Sequence, residues 1–276
     1  MKLKSTILAT LLLSFAAQLN AAESPGPISI ETYGTYGSYS GSVERKSFSA
    51  ESVFIDYATE AFGANVGVRH WDLSRTSSLG DLNGTDTSVL LYARKKVGNE
   101  GYWGLTGGAT YLSNNDIDTD KTLIPYVAIA YKTPDGGNYF DVGFSSMKFS
   151  DSTTNQYSAT WGTALFNRYV WAQTKVYYNN LSQNTEGEND SFALEERVTW
   201  YVVPDKLSLT LSGLIGQSVE GYVYDILKNS VGLTAIWELT PSLSLFANTT
   251  HENYEKQSIN DNYSATFGTV GLKYRF

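Results

Sequence analysis

The chain has 276 residues, no cysteine, two histidines, 20 tyrosines, 24 glycines and a formal net charge of -8. That charge argues against nucleic acid, whose phosphates need a basic surface. The missing cysteines remove disulfides, thiolate metal sites and thiol catalysis together.

Residues 1–22 read as a secretory signal: Lys2 and Lys4, an apolar run from Ile7 to Ala17, and a small-residue end at Ala21 and Ala22. The run is too short for a transmembrane helix, which needs roughly 20 apolar residues. No Cys follows it, which excludes lipoprotein anchoring. Residues 23–276 are expected to form one domain. Abundant Tyr and Gly with only two Met favour strands over helices. A chain without long apolar segments can cross a membrane only as a closed barrel.

From Ile28 onward, segments of alternating polarity are separated by turn clusters. The pattern predicts fourteen strands, at 28–39, 47–58, 63–74, 85–96, 101–113, 121–132, 138–149, 156–166, 169–181, 191–203, 206–217, 228–239, 242–252 and 262–276. Neighbouring even counts are 12 and 16. Most predicted strands are long enough for a tilted membrane crossing, about 9–11 residues. Short connections, such as Pro134-Asp135-Gly136-Gly137, alternate with generally longer polar ones. Short periplasmic turns and longer outer loops are the pattern of outer-membrane barrels. The expected fold is therefore all-β, a closed antiparallel up-and-down transmembrane barrel in the bacterial outer membrane.

Phase assigns the faces. Val270, Leu272, Tyr274 and Phe276 share one side of the last strand, leaving Lys273 and Arg275 on the other. The same two-residue period puts Val231, Leu233, Leu209, Leu211, Val176, Phe140, Val142, Val66 and Val68 outside. A soluble sandwich would show the same alternation with its faces swapped. Aromatics at strand ends favour the membrane: Trp103, Tyr131, Tyr139, Trp171, Trp200 and Trp237 near the short turns, and Tyr39, Phe48, Trp71, Tyr111, Phe149, Tyr157, Tyr178, Phe192, Tyr254 and Tyr263 near the long loops. Two strands break the pattern. Glu196 shares a face with Phe192, Leu194, Val198 and Trp200, and a bulge near Glu195-Glu196 would turn it inward. His70 sits beside Trp71 with the same difficulty. Strands 28–39 and 85–96 allow either phase.

The last eight residues run from Thr269 to Phe276. They resemble the C-terminal assembly signal of outer-membrane proteins, with Thr269, Gly271, Tyr274 and Phe276 in its places. That resemblance implies recognition by the outer-membrane assembly machinery. The hairpin order across the whole mature chain also resembles the YaiO-type outer-membrane barrels, which implies no active-site residues.

Three functions fit. A passive pore or export conduit for small polar or saccharide solutes would be lined by Arg69, Arg94, Asp141, Lys175, Arg197, Glu238, Lys273 and Arg275, charges of both signs suiting a weakly selective passage. Inward aromatics such as Tyr126, Trp171 and Tyr177 would form a sugar slide or fill space. A non-conducting accessory barrel beside a surface-polysaccharide system is the alternative. An outer-membrane hydrolase would need His251 with Glu252, but adjacent strand residues point to opposite faces. No catalytic residue is therefore assigned. No cofactor or metal is expected: Gly101–Gly108 lies in a strand without a following Lys-Ser, and ligand clusters are confined to acidic loops such as 114–120 and 186–190. Expected partners are lipid and lipopolysaccharide.

Overall fold

The structure, a computed structural model, describes residues 28–76, 80–98, 101–116, 119–148, 153–181, 190–217, 226–256 and 261–276. The expected signal at 1–22, Phe149 and the acidic stretch at 186–189 lie outside the described residues.

Fourteen antiparallel strands follow one another: β1 (Ile28–Ser40), β2 (Arg45–Ala58), β3 (Phe62–Arg75), β4 (Leu82–Lys96), β5 (Tyr102–Asn114), β6 (Thr122–Lys132), β7 (Asn138–Lys148), β8 (Thr153–Leu165), β9 (Val170–Leu181), β10 (Asp190–Val203), β11 (Leu207–Gln217), β12 (Ile226–Thr240), β13 (Leu243–Lys256) and β14 (Asp261–Arg275). Each pairs with its neighbours in sequence, and β14 pairs with β1 to close the ring. The Phe276 amide completes the seam by donating to the Ile28 carbonyl at 3.0 Å. With strands ~4.8 Å apart and tilted ~40°, such a ring has a backbone radius of roughly 13–15 Å.

The walls separate by phase as expected. Val53, Ile55, Val66, Val68, Val142, Leu211, Val231 and Val270 lie exposed on the outer wall. In the two strands of open phase, Ile28 and Tyr36 of β1 and Val89 and Leu91 of β4 are outward, while Leu90 is buried inside. A two-sheet sandwich would have buried these outward residues.

Three expectations need correction. No bulge turns Glu196 inward: the register runs unbroken through Glu196↔Gly213 and Glu196↔Thr174, and the shift in β10 falls between Tyr201 and Val203. Glu196 stays on the outer wall, where the Thr174 hydroxyl donates to its carboxylate at 2.9 Å. His70 is outward, which puts Trp71 inside at 1 % exposure. The upper aromatic belt is correspondingly smaller. Tyr111, Tyr157, Tyr178 and Phe192 face outward there, whereas Tyr39, Phe48, Trp71, Tyr254 and Tyr263 pack in the interior. In the lower belt, Tyr139 is buried and Trp171 turns inward over Gly162, while Trp103, Trp200 and Trp237 remain outside.

Inward glycines fit beneath inward rings. Phe267 covers Gly37, Tyr92 covers Gly63, Phe54 covers Gly67, Trp71 covers Gly84, Tyr126 covers Gly143 and Tyr33 covers Gly271. Each ring fills the slot that the missing side chain leaves on the neighbouring strand, the device by which aromatics compensate strand glycines. Trp171 and Tyr126 lie over Gly162 and Gly143 of the adjacent strands.

The short turns are set by local hydrogen bonds. Thr59 donates its hydroxyl to the Phe62 carbonyl at 2.7 Å and accepts the Phe62 amide at 3.0 Å. In the β6–β7 turn the Asp135 carboxylate accepts the Thr133 hydroxyl at 2.6 Å and the Gly137 amide at 3.0 Å.

Two outcomes follow. A Cβ at Gly84 would lie 2.6 Å from both Asn114 Cβ and Trp71 Cζ2, whereas one at Gly34 meets nothing within 4 Å. Gly84→Val should therefore lose about 1–3 kcal/mol in urea unfolding of the vesicle-folded barrel, with Gly34→Val close to wild type. The Thr133 hydroxyl, then the Gly137 amide, hold the Asp135 carboxyl below its ordinary value. The stabilisation of this turn is complete above the unfolded carboxylate pKa and is lost as pH falls through the depressed one. An NMR titration of Asp135 should show that lowered midpoint, and Thr133→Val should raise it.

Candidate functional site

A barrel's chemistry resides on its inner wall, and here that wall is charged. All eight sequence-predicted residues lie on it. Arg69 of β3 pairs with Asp86 of β4, their side chains 5 % and 1 % exposed, and Trp71 donates its indole N–H to the same carboxylate at 3.2 Å. Arg94 of β4 donates to the Thr59 carbonyl at 2.9 Å and lies over the Tyr92 ring. Asp141 of β7 is hydrogen-bonded to Tyr139 and faces Lys175 of β9. The Lys175 ammonium lies 4.8 Å from the centre of the Tyr177 ring. Arg197 of β10 pairs with Glu195, which also accepts the Tyr177 hydroxyl at 2.8 Å. Glu238 of β12 reaches over β13 to Arg275 of β14 at 2.7 Å and accepts the Ser244 hydroxyl. Lys273 of β14 pairs with Glu31 of β1, which accepts the Tyr33 hydroxyl.

The structure thus gathers Asp141, Lys175 and Arg197 on the β7–β10 wall, and Glu238, Lys273 and Arg275 near the seam. Arg69 and Arg94 stand apart from both groups. Sequence reasoning missed the partners Glu31, Asp86 and Glu195, and the pair Lys228–Glu252 at 2.9 Å. Strand phase was the available signal: once Glu196 is accepted as outward, Glu195 must be inward.

The long-loop end of the lumen is packed. Trp71, Ala50, Leu73 and Leu82 form one buried cluster, with Tyr39 and Phe48 against it. Tyr254, Tyr263 and Ala265 form another, with Tyr39 and Phe267 against it. The Arg45 guanidinium lies 5.6 Å and 5.8 Å from the Tyr39 and Tyr263 ring centres, where cation–π attraction holds it. Asn179, Thr154, Met147 and Thr119 are also fully buried.

Of the C-terminal motif, Thr269 and Gly271 face inward, the first bonded to Thr35 at 2.9 Å. Tyr274 and Phe276 project outward, edge to face at 5.0 Å. His251 is outward on Thr266 at 2.9 Å, whereas Glu252 is inward on Lys228. The wall itself separates that acid–base pair. Among the described residues no group of three His, Asp or Glu side chains could hold a metal ion.

This architecture defines a closed fourteen-stranded barrel of the outer-membrane type. It is similar over 98 % of the chain to the CymD monoaromatic hydrocarbon channel, with a TM-score of 0.67, 8 % identity and 93 % of that chain covered. It is also similar to the Pseudomonas putida toluene transporter TodX, with a TM-score of 0.59, 9 % identity, and 97 % and 94 % of the two chains covered. The translocator domain of the autotransporter NalP from Neisseria meningitidis matches with a TM-score of 0.53, 16 % identity and the same coverages. These likenesses are of fold. No family model and no curated sequence matches the chain.

The Arg69–Asp86 pair gives a direct test of how the wall is held. Removing one partner of a buried pair leaves an uncompensated charge, at a cost of about 3–5 kcal/mol. Arg69→Ala and Asp86→Ala should each destabilise the barrel by that order in urea unfolding, and the double variant should lose less than the sum.

Proposed function

We propose that the chain is a passive outer-membrane pore for small polar or saccharide solutes, delivered by residues 1–22 as a signal and folded through Thr269, Gly271, Tyr274 and Phe276 as an assembly signal. The observation that carries this reading is the division between the walls: an apolar exterior and an interior with charged residues distributed around it. The fold likeness to channels supports passage. The charged interior points to a polar solute rather than the hydrocarbons named for CymD and TodX. The eight inward residues would then line the pore. Hairpin order and size support placing the chain with YaiO-type barrels. The opposite facing of His251 and Glu252 speaks against that pair as an acid–base couple.

A second reading has its own observation. The packed aromatic cluster around Trp71, Tyr254 and Tyr263 favours a non-conducting accessory barrel beside a surface-polysaccharide system. Planar-bilayer recording separates the two. The pore reading expects conductance steps from folded protein, enlarged in Tyr263→Ala. Persistent silence from both proteins, each shown to be folded by heat-modifiable mobility, defeats it.

A further inference from the structure

Along β10 the outward residues run Phe192, Leu194, Glu196, Val198 and Trp200, all exposed. Phe192 and Trp200 stand in the two aromatic belts, so Glu196 lies midway, about 10 Å in depth from each. Other outward polar residues mark the upper margin of the apolar band instead. Toward the long loops, the next outward residues after Glu51, His70 and His251 are Ser49, Asp72 and Asn253. On both sides of Glu196 they are apolar.

A carboxylate facing hydrocarbon is penalised according to its depth, and a polar group there is costly unless hydrogen-bonded. The Thr174 hydroxyl lies 2.9 Å from both Glu196 oxygens. That bond accompanies the carboxylate outside, yet one proton serves a group with about four acceptor sites. Acyl chains offer no donor.

The wall around Glu196 is also low. Its cross-strand partners are Thr174 of β9 and Gly213 of β11, and Ala172 lies beside Val198 in the next outward row. Within 4 Å, a Cβ at Gly213 would meet only the Ser230 carbonyl, at 3.7 Å. Small residues let two membrane-embedded walls approach closely, and polar side chains then hydrogen-bond between them.

A second copy supplies the missing counterpart. Inserted in the same membrane in the same sense, it holds its own Glu196 and Thr174 at the same height. A twofold axis along the membrane normal makes that contact self-complementary.

We propose that the β9–β11 outer wall is the interface of a homodimer, with Glu196, Thr174 and Gly213 at its centre. One Glu196 carboxyl donates its O–H to the carboxylate of the other, and the two Thr174 hydroxyls serve the remaining oxygens. The interface does not depend on whether the lumen conducts.

The chain has no cysteine, so single replacements report the contact directly. Val198→Cys and Val68→Cys place thiols at outward sites of matching exposure, 44 % and 45 %, one beside Glu196 and the other on β3. In vesicles at low protein density, a membrane-permeant oxidant should link folded Val198→Cys into a disulfide dimer and leave Val68→Cys monomeric. Adding Glu196→Leu to Val198→Cys should lower the dimer yield several-fold, whereas Glu196→Gln, which keeps hydrogen-bonding groups, should preserve it. Leucine suits a lipid-facing position, and heat-modifiable mobility checks that each barrel is folded. Folded Val198→Cys that stays monomeric overturns the dimer. So does equal linkage at both sites, or a yield that a folded Glu196→Leu barrel leaves unchanged.

Discussion

Everything in this molecule depends on the ring of backbone hydrogen bonds being complete. Hydrocarbon offers no water to an unpaired amide or carbonyl, and each such group costs several kcal/mol there. A sheet with edges could not stand where the outward valines and leucines of this chain need to be. The β1–β14 register, running from Ser29↔Arg275 to Ser40↔Ser264, removes those edges. It also frees alternate side chains to be apolar outside and polar inside without conflict.

Closure then imposes a second task on the interior, because a ring of this width cannot be filled by aliphatic packing alone. Two devices share it. Rings lie over glycines on adjacent strands, as Tyr33 does over Gly271 and Trp71 over Gly84. Charges bridge strands, as Arg275 does to Glu238 across β13. They meet at Tyr33, which covers Gly271 and also donates its hydroxyl to Glu31, the partner of Lys273. The result is uneven. Aromatics crowd the long-loop end, while ion pairs such as Lys273–Glu31 and Arg275–Glu238 hold the wall near the seam. The pore and accessory-barrel readings therefore differ over the same cluster of side chains.

Strand positions, strand count and the assignment of Val142, Leu211 and Val270 to the outside were legible in the sequence because a two-residue period survives in any window. The inward direction of Arg69, Asp141 and Arg275 followed from the same period. Strand-end aromatics were harder. A tyrosine near a loop suits a membrane interface and a lumen mouth equally, so Tyr39, Tyr254 and Tyr263 looked like belt residues. Glu196 resisted for a related reason: a mid-strand carboxylate among apolar neighbours suggests a bulge, yet a hydroxyl from Thr174 on the adjacent strand is enough to accompany it outside. The partnerships Gly37–Phe267 and Glu238–Arg275 needed the register, which joins residues too far apart in sequence for any local pattern.

The seam has a kinetic side. Thr35 and Thr269, bonded across it, are 234 positions apart in the chain. Contacts of that separation form late, since the entropy of closing so long a loop must be met before they contribute. Until then the curling sheet has two open flanks that lipid cannot solvate. Entry into the bilayer and zipping of the first strand to the last are consequently coupled events, and a half-closed barrel has no stable resting place in the hydrocarbon.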